Sequence, residues 1–311
     1  MPMSKKVGFI LNIKNQMMNK YKVLIVCFIF GVSSYAQKTA PSYLLYRYNM
    51  TILNPAYTGV NEKPEIGVGF RKQQRDFEDD SSSQYASFSQ GFQSNLGLGV
   101  SIVNDKVFIS KESSIAIDVS YKLQLDRINK LYFGMKVGGT FHMLDFNSLG
   151  VNDPLFSGNE TTFSPLVGLG AYLKGKRYFV NISSPNFVLS ELQQPKTDSL
   201  GKIISDSVIE KLHVYIGTGY RFSLTETIDL TPSVFSRFVS NEDMLLDISA
   251  AADFSNKIEA GLAYRVNTSV IASVMLKLIK NTSLGYAYES STSEYSAVSS
   301  GTHEFVMKFS W

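Results

Sequence analysis

Cysteine is all but missing from this 311-residue chain: the single one, Cys27, lies in an apolar run near the N-terminus. That excludes a disulfide framework and any zinc cage built on thiolates. Histidine is nearly as scarce, and His142, His213 and His303 are spaced far outside any metal-ligand motif. Beyond the N-terminus no stretch approaches the roughly 20 consecutive apolar residues of a spanning helix. No 3.6-residue pattern lasts more than two turns, so amphipathic helices are not expected either. Phosphate-binding loops are also missing, because no Lys-Ser/Thr follows Gly97, Gly99, Gly134, Gly217 or Gly219. Within strands such glycines ease curvature or allow another segment to approach. His142 and His303 have no serine motif to work with. The chain is therefore expected not to be an enzyme, with no catalytic residue, no cofactor and no metal.

Present instead is a leader. Met18 to Lys22 is a short basic stretch, Val23 to Val32 is an apolar run, and Ser34 and Ala36 supply the small residues of a cleavage site. This pattern predicts a secretory signal over residues 1–36, with 1–16 as an upstream extension. Val26 precedes Cys27 where a lipoprotein would need a small residue, so lipidation is not expected. The leader carries five lysines and no acid; without it, 25 basic residues face 27 acidic ones, and the formal charge falls from +3 to −2. A near-neutral exported chain gives no reason to expect a nucleic-acid partner.

The remainder alternates. Ile115, Ile117, Val119, Tyr121, Leu123 and Leu125 interleave with Ala116, Asp118, Ser120, Lys122 and Gln124. Side chains on a strand point alternately to its two faces, so this segment has one apolar and one wetter face. Similar segments fall near 65–72, 83–92, 95–103, 131–141, 165–173, 177–183, 211–222, 227–238, 245–253, 257–265, 269–279, 282–289 and 303–311. Tight links such as 93–95, 126–129, 174–176, 223–226, 254–256 and 280–281 alternate with links that are often longer, at 73–82, 104–111, 142–164, 184–210 and 290–302, although 239–244 and 266–268 are short. Short turns at one end and long loops at the other mark an outer-membrane barrel. The mean hydropathy, −0.02, fits apolar outer and polar inner residues that cancel. In lipid such a sheet must close, because an open backbone edge finds no water there. The expected fold is all-β: a transmembrane, antiparallel, up-and-down barrel of about 14 strands over 61–311.

The last strand ends on Phe309 and Trp311 with nothing after them, which reads as the insertion signal and closing seam. Ile117, Val119 and Tyr121 are expected to face lipid. Asp118, Lys122, Lys136, Arg221, Arg237, Arg265, Lys277 and Glu289 are expected to line a solvated or ion-paired lumen. Fourteen strands enclose more space than wall side chains fill. The stretch 37–60, with Tyr43, Leu44, Leu45, Tyr46 and Tyr48, is too apolar to hang loose, and is expected to form a plug or mouth latch. Its candidate plug or partner-binding residues are Asn54, Pro55, Ala56, Tyr57 and Gly59. Pro55 fixes its own φ and biases Asn54 away from helix. Gly59 can take the positive φ that redirects the chain into the first strand. The longest connection, 184–210, carries an apolar cluster including Ile203, Ile204 and Val208, and is the candidate extracellular partner loop. Ile204, Val208 and Leu212 share a four-residue spacing that predicts a short helix.

Several motifs, in order, resemble the PorP/SprF family of type IX secretion membrane proteins. They begin with Tyr48-Asn49 and Asn54-Pro55-Ala56-Tyr57-Thr58-Gly59, followed by Leu96 to Val100 and Asn104-Asp105-Lys106. Asp153-Pro154-Leu155-Phe156, Ser184-Pro185-Asn186, Gly219-Tyr220-Arg221-Phe222, Gly285-Tyr286-Ala287-Tyr288 and Gly301-Thr302-His303-Glu304 complete the set. Two departures are visible, Glu289 where an aspartate is expected nearby and Thr302 in place of a serine. The resemblance implies a multi-pass protein of the bacterial outer membrane. Implied partners are a secreted cargo with a C-terminal sorting domain, such as a gliding adhesin, and other secretion components at the periplasmic face. The rival reading is a channel for hydrophobic small molecules of the fatty-acid-transporter type, whose N-terminal hatch also carries an Asn-Pro-Ala turn.

Overall fold

The computed structural model describes residues 42–75, 81–146, 159–187, 191–192, 208–209, 212–239, 243–279, 281–292 and 299–311. Fourteen strands form the wall: β1 Glu65–Arg75, β2 Ser81–Gly91, β3 Leu96–Val107, β4 Ser110–Gln124, β5 Lys130–Asp145, β6 Asn159–Lys174 and β7 Tyr178–Ser184. They continue as β8 His213–Tyr220, β9 Ile228–Val239, β10 Leu245–Phe254, β11 Ile258–Arg265, β12 Ser269–Ile279, β13 Thr282–Ser291 and β14 Ser299–Ser310. Phe222–Ser223 prolongs β8 beyond Arg221 and pairs with β9. Every strand is antiparallel to its neighbour in sequence. β14 returns to β1, pairing Glu65 with Ser310, Ile66 with Phe309 and Phe70 with Phe305. β8 joins β7 to β9, from Tyr220 opposite Tyr178 to His213 opposite Val239. The barrel is closed and has no free edge, as lipid requires.

The two faces divide as the alternation predicts. On β4, Ile117 is 59 % exposed and Tyr121 50 %, whereas Asp118 is fully buried and Ser120 is 3 % exposed. In β14, Phe305, Met307, Phe309 and Trp311 face outward while Glu304 is buried. Outside are lipid-facing apolar side chains; inside is the true core, and it is largely polar. At the barrel end holding the start of β1 and the close of β14, the terminal mouth, turns are short. Those at the distal mouth vary more.

Two expected loops shrink. The link expected at 104–111 is a two-residue turn, Phe108-Ile109, because β3 and β4 stay paired out to Val107 and Ser110, with Phe108 at φ 57°. Likewise β5 and β6 run into the link expected at 142–164, as far as Asp145 and Asn159. Polar residues such as Asn104, Lys111 and Thr161 obscure the strands there, since beyond the lipid band neither face needs to be apolar. The short helix expected through Val208 is also overturned. Val208–Ile209 is a strand paired with Glu191–Leu192, backbone pairing to a second segment having prevailed over a local four-residue spacing. Ile203, Ile204 and the signal region 1–36 lie outside the described residues.

Candidate functional site

Inside the barrel runs the segment 42–63. It makes a 3-10 turn at Tyr46–Tyr48, a single helical turn at Met50–Leu53 and a second 3-10 turn at Pro55–Tyr57. Asn54 starts the last turn in extended geometry, φ −136° and ψ 106°, and its Oδ1 accepts the Ala56 N–H at 2.9 Å. That conformation follows from Pro55, which disfavours a helical residue before it and sits well at the first position of a turn. Gly59 has φ +75° and lies against the backbones of Gly91 and Gly97, so it meets both demands that favour glycine.

Ordering a residue costs roughly 1–2 kcal/mol of backbone entropy, and a fully buried large apolar side chain returns about 1.5–3 kcal/mol. The segment offsets its ordering with three apolar clusters on different walls. Leu44, Leu45 and Ile52 pack with Tyr85, Ile271, Met275, Ala287 and Val306. Tyr46, Met50 and Leu53 meet Tyr215 and Phe235, with the Tyr46 and Phe235 rings stacked at 4.0 Å. Ala56 and Val60 sit on Tyr132 and Tyr172, and Tyr57 meets Tyr172 edge-on at 5.1 Å.

Polar contacts tie the same segment to the wall. Glu304 of β14, buried, accepts the Leu44 N–H at 2.5 Å and the Tyr85 hydroxyl at 2.7 Å. Glu259 of β11 accepts Arg47 at 3.0 Å and the Tyr48 hydroxyl at 2.6 Å. Asn54 Nδ2 donates to the Ala171 carbonyl at 3.2 Å, and Ser120 donates to the Thr58 carbonyl at 2.5 Å. Gly134 and Gly170 complete the cradle. A Cβ at Gly134 would collide with the Pro55-Ala56 backbone and one at Gly170 with the Asn54 amide. Beyond the turn, Glu62 bridges Lys130 at 2.8 Å and Lys122 at 3.3 Å. Hydrogen bonds from those two ammonium groups hold its carboxyl below the ordinary carboxylate range.

Towards the distal mouth the inward charges pair. Arg265 forks onto Asp247 at 2.8 and 2.9 Å and reaches Glu289 at 2.6 Å, and Lys136 meets Asp118 at 3.0 Å. Bidentate Arg–carboxylate geometry of this kind fixes strands rather than leaving a charge free. The structure thus gathers Asn54, Pro55, Ala56, Tyr57 and Gly59 at one place, against β2 to β7. Phe309 and Trp311 lie on the opposite, outer face of the wall at the seam, with Trp311 N–H donating to the Pro64 carbonyl at 3.3 Å. Of the main anchors, Glu259 has no place in the sequence reading and Glu304 enters it only as the last residue of the Gly301 to Glu304 motif. The signal was available, because Glu304 shares the inward phase of its strand with Thr302.

His142 and His303 lie on opposite faces of the wall. His303 Nδ1 is 2.8 Å from the Tyr286 hydroxyl among outward aromatics, whereas His142 Nε2 is 2.9 Å from Ser164 Oγ inside. Glu112 lies 3.5 Å from His142 Nδ1. Although this order of groups matches a hydrolytic relay, Ser164 has no exposed surface through which a substrate could reach it. Among the described residues no three His, Cys, Asp or Glu side chains group as metal ligands.

With that geometry in place, the comparisons are informative. A family model described as type IX secretion system membrane protein PorP/SprF matches residues 35–309. No curated protein matches the chain. Among solved structures, the CymD monoaromatic hydrocarbon channel is similar at TM-score 0.53 and 11 % identity, over 84 % of this chain and 92 % of its own. A TodX deltaS2S3 mutant monoaromatic hydrocarbon channel gives 0.52 and 10 %, over 84 % and 94 %. A Pseudomonas aeruginosa FadL homologue gives 0.50 and 10 %, over 83 % and 92 %. At such identities these likenesses speak for the fold alone.

Proposed function

This chain belongs to the type IX secretion system membrane protein PorP/SprF family, and from that premise we propose that it supports export or surface attachment of a cargo protein bearing a C-terminal sorting domain. It is an outer-membrane component of that secretion system. On our reading a cleaved signal delivers it to the periplasm, the terminal mouth and its short turns face that compartment, and the distal loops face outward. We read it as non-catalytic, a holder of proteins and not a converter of substrates. Gliding adhesins are one cargo class consistent with the family, and periplasmic components of the machine are the partners expected at the terminal mouth.

The observation that carries this reading over a small-molecule channel is the family match over residues 35–309, and the packed lumen agrees with it. Wall side chains and residues 42–63 meet across the barrel in three apolar clusters and are pinned by Glu259 and Glu304. A hatch-bearing channel fills its lumen with its own chain as well, so the two readings part on what the protein binds and carries. The rival remains testable because hydrocarbon channels share the barrel. Affinity-tagged protein drawn from the outer membrane should carry a sorting-domain protein with it, and purified protein in liposomes should not accelerate uptake of toluene or oleate. Uptake without co-purification would reverse the assignment. We also assign the distal connection containing Ile203, Ile204 and Val208 to cargo contact. Replacing 196–208 with a Gly/Ser linker should lower surface display while barrel levels stay unchanged.

A further inference from the structure

Charge is distributed very unevenly over the terminal mouth. Lys122, Lys130 and Lys174 are on the inward phase of β4, β5 and β6, in step with buried Ser120, Tyr132 and Tyr172. Arg221 follows outward-facing Tyr220 and is exposed. Lys130 and Arg221 both repel the Lys174 ammonium, which Glu62 attracts, and Lys122 joins them through its own ion pair with Glu62, so the four cations share one rim. Glu62 is the carboxylate that bridges two of them, at 2.8 and 3.3 Å. Lys174 donates to the Val60 carbonyl at 3.3 Å, a neutral partner. Beneath the rim, the Tyr132 hydroxyl is buried and has no hydrogen-bond partner among the described residues. A buried hydroxyl left unpaired is costly, so the packing of Val60 and Tyr172 over it is the weak point of the latch.

We propose that this mouth is a docking site for an acidic segment of a protein partner, whose carboxylates take over Lys122 and Lys130 from Glu62 and engage Lys174 and Arg221. A carboxylate is the chemistry the site already holds, since Glu62 occupies it. The inward phase of the three lysines points them into the aqueous mouth and away from the bilayer, which argues against lipid headgroups. Glu62 lies two residues beyond Val60, the last buried residue of the internal segment. Docking therefore competes with the latch that ends that segment, and a partner's arrival is felt by the plug.

The proposal rests on the secretion reading for its biological partner but not for its test. The mature protein in nanodiscs is titrated with a fluorescent twelve-residue Asp/Glu peptide and, separately, with the same peptide in Asn/Gln form. The acidic peptide should bind, and binding should weaken as salt screens the rim. K130E with R221E should weaken it at least tenfold, whereas E62Q, which removes the internal competitor, should tighten it severalfold. Heat-modifiable migration checks that each barrel is assembled, and K130Q replaces the double variant if that one fails to fold. Equal binding of the neutral peptide, an E62Q affinity that stays level or falls, or inorganic polyphosphate binding as tightly as the acidic peptide would overturn the proposal. Any of these would leave the secretion role untouched, because cargo co-purification tests that separately.

Discussion

Val119 and Ser120 are adjacent in the chain and meet opposite solvents. Val119 is 37 % exposed on the outer wall, and Lys or Arg at the bilayer midplane costs roughly 2–4 kcal/mol. Val119→Arg should therefore reduce outer-membrane levels and lower the urea midpoint of the assembled barrel. Ser120 is no neutral control, although it faces the lumen. Its hydroxyl holds the Thr58 carbonyl, so Ser120→Arg should leave the barrel assembled but expose the internal segment to protease. Glu62 gives the pH dependence at this scale. Its carboxyl is held below its unfolded range by Lys130 and Lys122, so the contribution of this latch is complete above the ordinary glutamate pKa of about 4.3 and is lost as pH falls through the lowered value. Protease access to 42–63 should be flat from neutral pH to about 5 and rise only below the ordinary glutamate range. Glu62→Gln should show the acid-level access at all pH values; identical profiles for the two proteins would remove Glu62 as a latch.

At the level of elements, the seam between β1 and β14 decides assembly. Ile66 pairs with Phe309 and Glu65 with Ser310, while the Lys308 ammonium meets the Glu65 carboxylate at 2.8 Å. Deleting 309–311 removes apolar outer surface and unpairs the first residues of β1 in the one place where the two chain ends must meet. The truncated protein is expected to be degraded before insertion, which cell fractionation and immunoblotting will show. Normal outer-membrane levels would relocate the insertion signal away from Phe309 and Trp311. The internal segment is an element of another kind, with only one helical turn and two 3-10 turns, each too short to persist alone. Its shape is imposed by the wall, through the cradle at Gly134 and Gly170 and the anchors at Glu259 and Glu304.

For the molecule as a whole, the consequence of an occupied lumen is electrical. The mature protein should show low conductance in a planar bilayer, and deletion of 38–58 should open a large, steady one. A large conductance in the intact protein, unchanged by the deletion, would mean that the segment does not block the pore. The same view of the whole explains why total charge was a poor guide. A chain with a formal charge of only +3 places four cations on one rim and pairs many of its remaining charges inside the wall.

Strand alternation settled the fold from sequence alone. A two-residue period over Ile115 to Leu125 leaves one face for lipid and one for the lumen, and the same alternation over Phe305 to Phe309 belongs to the strand that closes on β1. The conformation of the Asn54 to Gly59 turn was equally legible, because proline and glycine write their φ preferences locally. Strand ends near 104–111 and 142–164 were not, since polar residues pair as readily as apolar ones once the strand leaves the bilayer. What occupies the lumen was decided only by the tertiary structure. Glu259 and Glu304 lie about 200 and 260 residues from the segment they hold, and no local pattern reports which inward carboxylate meets which incoming N–H until the barrel has closed around both.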